Sequence, residues 1–144
     1  MIELFYECDF SIKDVDKYVD WIGRVLKSED SETGVMNYIF CDDDYLIKIN
    51  KSYLNHDTLT DIITFDYSDK GIVHGDIFIS IERVRENAMS YKDTFEGELL
   101  RVMAHGLLHL VGYNDKTPQE TALMRRKEEE KIKMFHVEQS EGYV

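Results

Sequence analysis

A chain of 144 residues, 43% hydrophobic and 32% charged, suits one compact domain spanning residues 1–144 and excludes a disordered polypeptide. Cys8 and Cys41 are its only cysteines, too few for a disulfide framework and in keeping with a reducing compartment. Seventeen basic residues against 29 acidic ones leave a net charge of -12. That balance excludes broad electrostatic attachment to nucleic acid or anionic lipid, so any nucleic-acid contact must be local.

The opening MIELFYECDF carries Glu3, Glu7 and Asp9 in place of a basic, then apolar, leader, and no apolar run reaches membrane-spanning length. The expectation is a cytoplasmic protein with no membrane partner. Ile2, Leu4 and Tyr6 alternate as a short strand, and Ser11 with Asp14 reads as a capping box for a helix running to about Lys27. Its apolar stripe is Ile12, Val15, Tyr18, Val19, Ile22, Val25 and Leu26, with Trp21 off the centre. VMNYIFC is a second strand, and DDDYLIKINKSYLN is a short helix behind leading aspartates. After the loop NHDTLTD, the runs IITFDY and IVHGDIFIS pair across a turn at Ser68 to Gly71.

Ser80 caps a third helix, Asp93 with Glu96 caps a fourth that Gly112 ends, and Thr117, Pro118 and Glu120 open a fifth reaching about Phe135. Four strands and five helices predict an α/β (α+β layered) domain with a small mixed sheet, and the spacing of His105 and His109 makes one of its helices a metalloprotease-like metal-binding helix. The RRKEEE run from Arg125 reads as ordinary helix surface.

Chemistry concentrates between Leu99 and Val111, where Arg101, His105 and His109 interrupt a small or apolar helix. Four residues apart, the two imidazoles share one helical face and can grip a cation, although each can equally be a core histidine bonded to a carbonyl. Gly112 lets the chain double back and brings Asp115 within reach as a third ligand, against the plainer reading of Asn114 and Asp115 as turn residues. Two nitrogens and one oxygen leave a fourth position for a metal-bound water, the open arrangement of catalytic sites, and zinc is the expected ion although other divalent metals fit. Zinc proteases of the metzincin type share this spacing but carry a general-base Glu directly after the first histidine. Here that residue is Gly106, which disfavours peptide hydrolysis and suggests close approach of backbone or substrate.

HGLLHLVGYND resembles the histidine signature HGxLHLxGYDH of the YbeY endoribonuclease family, departing only at Asn114 and at Asp115, which replaces the third His. NKSYLNHDTLTDIITF and GDIFIS extend the resemblance through Asn50, Tyr53, Asp57, Thr60, Asp61, Phe65, Gly75, Asp76 and Ser80. Leu54 stands at the family's arginine and Leu59 at its proline. The resemblance implies a metal-dependent endoribonuclease acting on single-stranded RNA in 16S rRNA 3′-end maturation and ribosome quality control, with ribosomal partners and no DNA substrate. His105, His109 and Asp115 would hold the metal. Another cation would replace the missing arginine, with Lys51 the nearest candidate and Lys48, Arg83 and Arg85 completing a basic strip. His74 and Asp76 could line the cleft, Asp76 as an acceptor orienting an imidazole, while His56 and His136 are expected to be exposed. Two other readings stand beside this one: a hydrolase of another substrate such as a peptide, and a ribosome-assembly factor with a structural metal.

Overall fold

Residues 1–54 and 60–137 are described by the computed structural model. In chain order they form β1 (Ile2–Tyr6), α1 (Val15–Ser28), β2 (Glu32–Cys41), α2 (Asp43–Leu54), β3 (Ile62–Asp66), β4 (Ile72–Ser80), α3 (Ile81–Ser90), α4 (Phe95–Leu110) and α5 (Pro118–Val137). The loop before Thr60, with His56 and Asp57, lies largely outside the described residues, as does the side chain of Leu54.

The sheet order is β1-β2-β4-β3. β1 pairs with β2 and β2 with β4 in parallel, while β3 and β4 form the expected antiparallel pair, with Phe65 opposite Asp76. Alternation along β4 sorts the two faces. Val73, Ile77 and Ile79 join the main core with Trp21 and Ile22 of α1 and Leu100, Met103 and Leu107 of α4. The opposite face is covered in part by α2, whose Tyr45, Leu46 and Ile49 pack with Ile63, Phe65 and Phe78.

Two glycines set how closely α4 approaches the sheet. A Cβ on Gly106 would stand 2.9 Å from Ile62 Cδ1 and 3.1 Å from Ile77 Cγ2, and one on Gly75 would stand 2.8 Å from the Phe65 carbonyl oxygen and 2.9 Å from Leu110 Cδ1. The close approach expected at Gly106 is therefore of helix to strand.

Local expectations met the structure unevenly. Thr117 and Glu120 form a full capping box at α5, each side chain accepting from the other's backbone N–H, at 3.1 and 3.0 Å. Ser80 accepts from the Arg83 N–H as the cap of α3. At α4 the cap is Thr94, one residue after Asp93, because the Thr94 hydroxyl accepts from Gly97 N while the Asp93 carboxylate is engaged by Thr94 N. α1 begins only at Val15, and Asp14 makes no side-chain cap bond. Trp21 is fully buried, with its Nε1 donating to the Lys131 carbonyl at 2.7 Å. Trp21 shares one buried face of α1 with Tyr18, Ile22, Val25 and Leu26, at the side that meets α5.

Candidate metal centre

α4 carries His105 and His109 one turn apart, with ring centroids 4.5 Å apart and planes at 81°. The helix stops at Leu110, and Gly112 at φ 108° reverses the chain, a backbone that L side chains resist. The turn delivers Asp115 back to the histidine face. His105 Nε2 and His109 Nε2 are 2.9 Å apart, and Asp115 Oδ2 lies 3.2 Å from the first and 3.4 Å from the second. Bonds of about 2.0–2.1 Å in a tetrahedral zinc site place neighbouring ligand atoms roughly 3.3 Å apart, so this triangle has the size that one small ion requires.

The other ring nitrogens define which atoms face inward. His105 Nδ1 is 2.6 Å from Glu128 Oε2, and His109 Nδ1 is 2.9 Å from the Tyr113 carbonyl oxygen. An ionised carboxylate and a carbonyl only accept, so both Nδ1 atoms donate, and in the neutral imidazole each Nε2 is left with a lone pair. In the neutral tautomer three lone-pair-bearing atoms thus converge on one point, a set that fits a cation. Residues present and chemistry required agree.

α5 holds this arrangement in place. Glu128 is 2% exposed, and its second oxygen takes Arg101 NH1 at 3.4 Å, while Arg101 also grips the fully buried Glu98 through Nε at 3.0 Å and through NH2. On the His109 side, the Tyr113 hydroxyl donates to Glu29 Oε1 at 2.8 Å, and Lys131, 1% exposed, reaches Glu29 Oε2 at 2.6 Å. Burial works to raise the Glu29 pKa, but hydrogen bonds from Lys131, Tyr113 and Lys127 outweigh it and hold the carboxyl below its usual value.

Asp61, Ile62, Arg101, Val102, His105 and Asp115 line a cavity of 210 Å³. A larger cleft of 310 Å³, walled by Phe10, Ile12, Tyr18, Phe95 and Leu99, holds no histidine and none of these donors.

Of the residues singled out in the sequence, His105, His109 and Asp115 are together. Lys48 and Lys51 are exposed on α2, across the sheet from α4, and Arg83 pairs with Asp43 at 3.2 Å. Arg85 lies over the Phe95 ring at 5.7 Å. His74 accepts from Val35 N–H at 2.9 Å, and His136 is exposed. Asp76 does not orient an imidazole: it points to the sheet face away from α4 and accepts from Asn37 Nδ2 at 3.0 Å. That acceptor is Glu128, inside the run read as helix surface. The signal for it was Met124, Glu128, Lys131 and Phe135, spaced four, three and four apart and all buried.

Fold and site define a small α/β protein with a His-His-Asp donor set built from one helix, α4, and the turn that follows it. It matches the family described as Endoribonuclease YbeY over residues 6–136. It is 57% identical over 140 residues to Endoribonuclease YbeY of Flavobacterium psychrophilum, covering 97% of this chain and 100% of that one. The protein of the same name from Flavobacterium johnsoniae is 55% identical over 139 residues, covering 96% and 100%. The solution structure of TM1509 from Thermotoga maritima superposes with a TM-score of 0.70 at 28% identity, over 99% of this chain and 93% of that one. The chain belongs to the YbeY endoribonuclease family.

Proposed function

We propose that the chain is a metal-dependent endoribonuclease of single-stranded RNA, working with the ribosome in the cytoplasm on 16S rRNA 3′-end maturation and ribosome quality control. The observation that carries this reading is the convergence of three metal-ligand atoms within 4.8 Å of one another, two of their residues, His105 and Asp115, lining a cavity, in a member of an endoribonuclease family. Among the described residues no helix is long and apolar enough to cross a membrane.

A divalent ion here, zinc by preference for two imidazoles and a carboxylate, supplies Lewis acidity to the phosphodiester. His105 and His109 keep their Nδ1 protons on Glu128 and the Tyr113 carbonyl, so each Nε2 stays aimed at one point. Asp115 closes the third side and, as a carboxylate in place of an imidazole, admits harder ions as well. Three protein donors leave one side open toward the cavity, which is the arrangement of catalytic and not of structural sites. The cavity suits an unpaired strand, whose backbone can enter it, better than a stiff A-form duplex. Lys51, exposed on α2, is proposed as an outlying contact to the RNA backbone. The peptide-hydrolase alternative is not favoured, because Gly106 occupies the place of its general base.

Elemental analysis of purified protein, paired with a chelator-sensitive assay on single-stranded RNA, tests the proposal with His105→Ala as control. Wild type is expected to carry stoichiometric metal and to cleave, and the variant to lose both. Metal retained in full by the variant overturns the ligand assignment. Cleavage by both proteins alike betrays a contaminating nuclease and removes the activity.

A further inference from the structure

Arg101, one of the residues that line the cavity, also touches an aromatic ring that this chemistry does not use. Tyr91 caps the C-terminus of α3 and is 62% exposed. The Arg101 guanidinium lies over its ring, with Cζ 5.7 Å from the centroid, inside the range where cation and ring attract. Three of the five guanidinium N–H bonds are engaged by Glu98 and Glu128, which pins the group and leaves two N–H bonds. Arg101 is also the one Lys or Arg among the residues lining the cavity with His105 and Asp115. Ring, guanidinium, Glu128 carboxylate and His105 imidazole thus follow one another without a gap, the last step being 2.6 Å.

We propose that Tyr91, ordered by Arg101, is a stacking subsite for the nucleobase adjoining the cleaved phosphodiester, an inference that rests on the RNA-cleaving function above. The guanidinium lies over the ring, and Tyr91 as a whole stays 62% exposed, which leaves it surface for a base to stack on. A ring already held in place loses little freedom when a base stacks on it. Net charge gives the subsite its importance: at -12 the chain repels a polyanion at long range, so contacts that do not depend on charge add to the few local cationic ones. Stacking is such a contact, and it selects unpaired bases because paired ones keep their faces covered.

The test compares Tyr91→Ala, Tyr91→Phe and wild type, all full-length and metal-loaded, on one single-stranded oligoribonucleotide. A second substrate replaces the base beside the cleavage position by an abasic residue. Affinity is read independently by fluorescence anisotropy of the same oligonucleotides in chelator. Tyr91→Ala is expected to raise KM and weaken binding about fivefold or more, with kcat and metal content unchanged, and Tyr91→Phe to match wild type. On the abasic substrate the difference between Tyr91→Ala and wild type should vanish. A Tyr91→Ala protein that binds and cleaves the normal substrate as wild type does overturns the subsite and leaves the RNA-cleaving function intact. An equal loss on both substrates also overturns it, by assigning the ring to another contact. A wild-type protein that neither binds nor cleaves RNA removes the function itself, and the subsite with it.

Discussion

His105 Nδ1 and Glu128 Oε2 meet at 2.6 Å across the contact between α4 and α5, so the last helix of the chain sets the orientation of a side chain in the central one. Removing an acceptor of this kind typically weakens metal binding about 10- to 100-fold. Glu128→Ala should lie in that range, and Glu128→Gln should lose less, because its amide oxygen still accepts. Competition against a chromophoric chelator measures both. Ala and wild-type affinities that coincide would show that the imidazole needs no partner.

Asp115 is the most exposed of the three converging residues, at 38%, and Thr121 Oγ1 bonds to its backbone carbonyl, so the backbone is tethered independently of the carboxylate. Asp115→Ala should therefore fold as wild type does and lose its metal, whereas Asp115→His should retain it with a nitrogen in place of the oxygen. Metal analysis after dialysis decides the matter. Unchanged binding by the alanine variant excludes Asp115 as a ligand.

Glu98 and Glu128 are both buried and share one cation, Arg101, whose side chain is 18% exposed. Deleting that cation strands two carboxylates in the interior, so Arg101→Met should cost about 3 kcal/mol, the lower part of the range for broken buried pairs because Arg101 is partly hydrated. Pairing it with Glu98→Gln should recover part of the loss by removing one orphaned charge. Urea unfolding of the single and double variants checks the order. A double variant weaker than the single one would contradict the pairing.

Glu29 adds a pH dependence of known sign. Its carboxyl is held below the usual range in the folded chain, so its contribution to stability is fully present above the unfolded value of about 4.3 and is lost as pH falls through the lower folded value. Wild type should therefore lose stability on acidification below about pH 4.3 more steeply than Glu29→Gln, and the two should run parallel at neutral pH. Thermal unfolding across that range gives the comparison. Parallel curves down to acid would mean that the Lys131 contact leaves Glu29 unperturbed.

The sequence made the histidine face legible because its cause is local: four residues make one helical turn, and Gly112 can only end it. The antiparallel β3–β4 pair also follows from nearby alternation and a short turn, whereas the order β1-β2-β4-β3 depends on parallel crossovers that no local pattern announces. Glu128 and Arg101 were harder to see because their roles arise 23 and 27 residues along the chain, in the contacts His105–Glu128 and Arg101–Glu128. Composition marks RRKEEE as surface, and only the packing of α5 on α4 turns one of its glutamates inward. Trp21 reads only as off the centre of its stripe for a related reason, since its burial depends on the contact with α5, where its Nε1 meets the Lys131 carbonyl.

Gly106 and Gly75 are close-packing positions of unequal tolerance. An alanine at 106 comes closest to the end of the Ile62 side chain, at 2.9 Å, with the Ile77 Cγ2 methyl next at 3.1 Å, whereas one at 75 meets the Phe65 carbonyl at 2.8 Å as well as Leu110. Side-chain ends can rotate away, but a carbonyl paired within the β3–β4 ladder cannot move without disturbing the sheet. Gly106→Ala should thus cost about 1 kcal/mol or less after the helix-propensity gain of alanine over glycine, and Gly75→Ala about 2–3 kcal/mol. Chemical denaturation measures both. Because α4 also carries the imidazoles, Gly75→Ala should weaken metal binding in step with its stability loss. A destabilised Gly75→Ala with wild-type metal affinity would show that the donor set keeps its geometry independently of how α4 sits on the sheet.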